Sequence, residues 1–166
     1  TKPASHEKWE KSIAGFEKMD QIAPPEKGGI VFVGSSSIVG WATHEAFPEW
    51  PVINRGFGGS AIADSTRYLK RIVFPCKPRL IVMYAGTNDI SSKMTPQQVF
   101  EDFKAFVAAA RAGLPEVPIL YVSINPNIAR WEQRVRQAEA NRLIERYMHG
   151  KDRMKFIDSW KAFLGP

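Results

Sequence analysis

The chain has 166 residues, 44% hydrophobic and 24% charged, a composition that describes one packed domain over residues 1–166 and leaves no length for a second. Its formal charge of +6 invites a polyanion, but the basic residues are spread among acidic ones, with no groove-reading motif or aromatic stacking platform, which argues against nucleic acid. No run approaches the roughly 20 apolar residues of a membrane-spanning helix, and the single cysteine, Cys76, excludes an internal disulfide and reads as a small core residue.

Short apolar runs rich in β-branched residues alternate with longer segments of helical periodicity, the pattern of a parallel βαβ sheet. The chain opens on Thr1 rather than Met and carries no signal peptide; we expect an upstream segment to have been removed, which favours a secreted or periplasmic location. A first helix is expected over 6–21, then a linker from Pro24 to Gly29. Strand 29–34, helix 37–46, strand 51–54, helix 61–73 and strand 79–84 follow. Helix 95–112, strand 117–123, helix 129–148 and strand 154–158 complete the series. Thr95-Pro96 supplies helix 95–112 with an N-cap and a proline at its first position, and Gly113 is expected to stop it. Within 129–148, Arg130, Arg134, Arg136, Arg142 and Arg146 interleave with Glu132, Glu139 and Glu145, which reads as a solvated helix face.

In an open parallel sheet every strand-to-helix loop leaves from the carboxyl edge, where ligands bind. Here those loops read GSSS, NRGFGGS, AGTND, SINPN and Asp158-Ser159, so small and polar residues collect on one edge. A serine where strand turns to helix presents its hydroxyl to a ligand while backbone N–H groups point the same way. The same Ser35-Ser36-Ser37 run also suits ordinary capping and turn chemistry. Gly58 and Gly59 let backbone N–H groups approach a ligand, and Asn88 offers a side-chain amide. Each has a plainer use: Gly56, Gly58 and Gly59 in a tight turn, Asn88 in an Asx turn or helix cap. Their joint occurrence is what acyl transfer needs, a nucleophile with donors for the oxyanion. Ser35, Gly58 and Asn125 are candidate substrate contacts, and Phe57, Arg130 and Trp131 candidate pocket residues. No spacing of His or carboxylates suits a metal, and this chemistry needs no cofactor.

From about residue 30 to its end the chain resembles the SGNH, or GDSL-type, esterase and lipase family. The resemblance implies a flavodoxin-like three-layer α/β/α sandwich with a five-stranded parallel sheet. The family's first block, usually Gly-Asp-Ser, reads Gly34-Ser35-Ser36, which makes Ser36 the nucleophile and Ser37 a second candidate. Gly40, at its spacing from Ser36, supports that register. The second block is Asn54-Arg55-Gly56-Phe57-Gly58-Gly59, carrying the oxyanion-hole glycine onto Gly59. The third, Gly86-Thr87-Asn88-Asp89, makes Asn88 the side-chain donor.

The family's fourth block, Asp-x-x-His, has no counterpart: after Asp158 the fourth position is Lys161. Of the three histidines, His44 and His149 fall at predicted helix ends on the edge away from the site, and His6 precedes the first helix. Asp158 therefore reads as a strand-end structural residue, and the catalytic pair is expected beyond residue 166 in a longer parent chain. The last helix is expected to be missing from this chain, which leaves one sheet face open; the helix around Trp9, Ile13 and Phe16 or a partner chain could cover it, and an incomplete sequence is the favoured explanation. The resemblance implies a serine esterase for acetyl or short-acyl esters, including those of carbohydrates, with an oligomer possible. The alternatives are a binding or vestigial protein, and a binder of a phosphorylated cofactor on the Gly-Ser loop.

Overall fold

The computed structural model describes residues 8–164. Five strands, β1 (Ile30–Gly34), β2 (Val52–Gly56), β3 (Leu80–Tyr84), β4 (Ile119–Val122) and β5 (Met154–Ile157), form one parallel sheet in the order β2-β1-β3-β4-β5. All five expected strands are present, each within a few residues of its predicted bounds. β2 runs two residues further than expected, because Arg55 and Gly56 pair with Val33 and Gly34 of β1.

The helices are α1 (Glu10–Ile22), α2 (Ser36–Val39), α3 (Thr43–Ala46), α4 (Ile62–Ile72), α5 (Thr87–Ser91), α6 (Pro96–Gly113) and α7 (Arg134–Met148). The first begins at Glu10, and the expected residues 6 and 7 lie outside the described part. The expected helix 37–46 is instead two single turns. Asn54 explains the break: its Nδ2 donates to the carbonyls of Ile38 (2.6 Å) and Trp41 (3.3 Å), oxygens that a continuous helix would use internally. The expected helix 129–148 also divides, into a 3₁₀ segment (Ile128–Gln133) and α7, with Arg130 off helical geometry at φ −132° and ψ 30°.

Thr95 caps α6 as expected, its hydroxyl accepting from Gln98 N–H while the Gln98 side chain accepts from Thr95 N–H. Gly113 ends α6 as expected, as its last residue, and a Cβ there would collide with the ring of Phe74. Close packing, rather than turn geometry, requires glycine at that position.

The core lies mainly on one face. Val31, Val33, Ile81, Met83, Ile119 and Tyr121 point into a single buried cluster with residues of α1, α4, α6 and α7. Trp9 and Ile13 belong to that cluster, so α1 reinforces the covered face and does not close the other. The opposite face is smaller. Phe32, Ile38, Val52 and Val82 are buried there, with Trp41 edge-on to Phe32 and Phe47 stacked on it, at 5.2 and 5.6 Å between ring centres. Cys76 is buried and free, as its sequence context suggested. No helix among the described residues is long and apolar enough to cross a membrane.

Candidate active site

The loops at the carboxyl edge surround a cavity of about 390 Å³. Ser35, Ser36 and Ser37 line it from the end of β1, Thr87 and Asn88 from the end of β3, and Asn125 from the end of β4. Ser36 is the first residue of α2, and it and Ser37 are exposed while Ser35 is buried. Thus Ser36 and Asn88, from separate sequence blocks, face one space.

The three loops are tied to one another by hydrogen bonds. Phe57 N–H donates to Gly34 O at 3.1 Å, joining the second loop to the first. The Ser60 hydroxyl donates to Phe57 O at 2.8 Å and Asn88 Nδ2 to Ser60 O at 3.0 Å, joining the second to the third. An amide nitrogen carries two donors. One Asn88 N–H is spent on fixing the side chain, and the amide nitrogen has no other acceptor among the described residues.

Asp89 completes this tie. Its carboxylate is fully buried and accepts from Ile62 N–H at the start of α4, 3.1 Å away. Burial raises its pKa to about 6, opposed by the backbone hydrogen bonds it accepts. Gly86, at φ +120°, opens α5; a Cβ there would meet Ile124 at 2.6 Å. Only glycine combines that backbone geometry with that contact.

Gly59 is exposed, at φ +76°, and it and Gly58 are not among the residues that line the cavity. Gly59 is joined to the cavity through Ser60, the partner of Asn88. The Gly58 carbonyl accepts from Trp9 Nε1 at 3.0 Å, so α1, far away in sequence, holds the glycine loop. Sequence reasoning missed this link, since Trp9 was legible only as an apolar helix residue.

Other residues part company with expectation. Phe57 is in the core between Trp9 and Tyr68, not in the cavity. Trp131 is exposed and does not line the cavity, with the Arg134 guanidinium 4.8 Å from its ring. Arg130 does line the cavity, 3.5 Å from Asn88 Oδ1, so it leaves the solvated arginine stripe in which it was grouped. Arg142 keeps to that reading, paired with Glu139. Tyr84, Asn127 and Phe163 line the cavity without having been singled out. Their signal was positional: each follows or ends a strand, or precedes the chain's end, on the carboxyl edge.

Arg55 of the second block is buried, its guanidinium on Asp20 of α1 at 2.6 Å and 3.4 Å from Cys76 Sγ. It anchors α1 and does not face the cavity.

After β5, Ser159 and Ser123 share a hydrogen bond of 3.0 Å, and Asn125 Nδ2 donates to Ser159 Oγ at 2.9 Å. This network seats the last described segment, with Phe163, against the cavity. Asp158 accepts from Trp160 N–H at 3.0 Å, a local turn. Lys161 lies exposed in the 3₁₀ turn Trp160–Phe163. His44 lies in α3 ahead of β2, and His149 caps α7 ahead of β5, so both stand at the amino edge of the sheet. His6 lies outside the described residues. Among the described residues no group of three or more His, Cys, Asp or Glu could hold a metal ion.

A parallel sheet in this order, helices on both faces and a polar cavity at the carboxyl edge define an α/β protein of the SGNH hydrolase fold. The chain belongs to the GDSL-like lipase/acylhydrolase family, whose model matches residues 32–166. No curated protein matches it by sequence. Several solved structures share its fold. One is a Streptococcus pneumonia protein described provisionally as a platelet activating factor: TM-score 0.81, 18% identity, 94% of this chain and 77% of that one covered. A GDSL-like lipase from Bacteroides thetaiotaomicron gives TM-score 0.69 at 22% identity, covering 95% of this chain and 79% of that one. A mutant acetyl-xylooligosaccharide esterase from Geobacillus gives 0.63 at 17%, covering 84% and 80%.

Proposed function

We propose that the protein is a serine ester hydrolase acting on acetyl or short-acyl esters, with acetylated carbohydrates as its substrate class. The observation that carries this reading is the meeting of Ser36 and Asn88 in one small cavity, with Ser60 linking Asn88 to Gly59. Ser36 Oγ attacks the ester carbonyl carbon, and the negative charge that develops on the carbonyl oxygen is held by Ser36 N–H, Gly59 N–H and the second Asn88 N–H. The alcohol leaves with a proton, and water then releases the acid from the serine. Volume supports a small substrate, since about 390 Å³ is at the lower end of ligand pockets. Neighbours of the same fold that are named as acetyl-xylooligosaccharide and carbohydrate esterases support the acetyl and sugar assignment.

The general base is supplied from outside residues 8–164, because His44 and His149 are at the wrong edge. That same observation favours a second reading, a binding protein of this fold without turnover. The two are separated by fluorophosphonate labelling and p-nitrophenyl acetate hydrolysis. Both are measured on the chain, on its extension past residue 166, and on Ser36→Ala and Ser37→Ala. Hydrolysis that falls at least about 1,000-fold in Ser36→Ala and is unchanged in Ser37→Ala supports the esterase. Labelling and hydrolysis unaffected by Ser36→Ala would overturn it, and an inert Ser36 in every form would leave the binding protein.

A further inference from the structure

The cavity has an uneven charge. Among the described residues no aspartate or glutamate lines it, and Arg130 is the one charged residue that does. Arg130 is half-buried and reaches Asn88 Oδ1 at 3.5 Å. Among the described residues it pairs with no carboxylate. Two other arginines of its segment are differently employed: Arg134 lies over Trp131 and Arg142 holds Glu139. Arg130 is turned out of their stripe by its own non-helical backbone, which places it at the cavity and away from the α7 surface.

A second cation flanks the glycine loop. Lys8 Nζ is 3.5 Å from where a Cβ on Gly59 would lie, and it too pairs with no carboxylate among the described residues. Two positive side chains therefore stand at Asn88 and Gly59. A guanidinium has five donors, and the Asn88 contact uses one of them. The remaining planar edge is matched to an oxyacid, which accepts two parallel N–H bonds in one plane.

From this we infer that the protein's substrates are esters of anionic alcohols: the alcohol part carries a carboxylate, as in an acetylated hydroxy acid or sugar acid, and Arg130 binds it. This rests on the esterase reading for the ester itself, and extends it by naming the charge of the alcohol part. Because Arg130 touches the same asparagine that faces the reacting carbonyl, the carboxylate and the ester are close neighbours in the substrate. A neutral acetyl ester fills the same space and leaves the guanidinium unanswered. Lys8, further along the site, adds an attractive field and no second contact. Specificity then follows from the cost of leaving Arg130 unpaired, which only a carboxylate-bearing ester avoids.

Binding tests this without requiring turnover. O-acetyl-lactate and its uncharged methyl ester are titrated by NMR into Ser36→Ala, and into Ser36→Ala carrying Arg130→Gln or Arg130→Lys. We expect the acid to bind about tenfold more tightly than its methyl ester. Arg130→Gln abolishes the preference, Arg130→Lys keeps part of it, and added salt weakens it. Equal affinity for acid and methyl ester overturns the inference. So does a preference that survives Arg130→Gln, which would move the anion to another cation such as Lys8. Fluorophosphonate labelling of Ser36 is scored separately. A labelled serine with no acid preference keeps the esterase and removes the anion subsite, whereas acid preference with an inert serine does the reverse.

Discussion

On one face of the sheet Val31, Val33, Ile81, Met83, Ile119 and Tyr121 are shut off from solvent beneath α1, α4, α6 and α7. On the other, Phe32 and Val82 lie under two single-turn helices while Ile30, Leu80, Leu120 and Val122 stay half-buried. Both sets come from the same strands and are equally apolar, so composition does not produce the difference. Connectivity does. Parallel crossovers are right-handed, and the chain steps from β1 outward to β2, then back across to β3, β4 and β5. The first step puts its helices on one face and the three later steps put α4, α6 and α7 on the other. Only α1, which precedes the sheet, was free to take either side. Arg55–Asp20 and Trp9 on Gly58 bind it to the face that was already covered.

The largest effect that sharpens this contrast is a pair of truncations. Phe103 is fully buried in α6 against Tyr121, ring centres 4.9 Å apart. Phe103→Ala should cost about 3–5 kcal/mol, the usual range for a buried phenylalanine. Leu120→Ala, on the half-buried face, should cost about 1 kcal/mol. Urea denaturation of both variants gives the comparison. Equal losses would mean that the thinner face is as well covered in solution as the other.

The covered face also buries a carboxylate, and this gives a second, smaller effect. Asp89 has its pKa raised to about 6, chiefly by burial, against 3.8 for the ordinary group. Between those values the folded state holds a proton that the unfolded state has lost. Stability therefore falls as pH rises from about 4 to about 6, and stays lower above that. The fall between pH 4.5 and 7.5 should amount to about 2 kcal/mol and should vanish in Asp89→Asn. Denaturation midpoints at pH 4.5 and 7.5 measure it. A slope that persists in the variant assigns the proton to another group, of which Asp102, also raised by burial, is the first to try.

The same contrast explains what could be read from the chain. Strand runs such as LIVMY and the small polar loops after them are local signals, and the fold and the Ser36 and Asn88 positions follow from them. The break in the 37–46 helix depends on Asn54, which acts on carbonyls sixteen and thirteen residues away. Arg55 is a polar residue in a strand, and its place in the core depends on Asp20 having been brought to it. Arg130 follows the helical pattern of its neighbours until a 3₁₀ segment turns it toward the cavity. The first two are decided by a partner distant in sequence and the third by a break in the helical backbone, where pattern has no reach.

The smallest effect joins the covered face to the site. Trp9 packs on Phe57, ring centres 6.0 Å apart, and donates to Gly58 O. Trp9→Phe retains an aromatic ring but removes the donor and part of the indole's buried bulk, so stability should fall by about 1 kcal/mol. The glycine loop loses a fixed point beside Gly59 N–H, and labelling of Ser36 by a fluorophosphonate should slow several-fold, because an oxyanion donor acts only when it is already in position. Stability and labelling must be measured on the same preparation. A loss of labelling larger than the loss of stability places α1 in the machinery that positions the site. Unchanged labelling would confine α1 to packing, and Ser60 and Asn88 would then suffice to hold the loop.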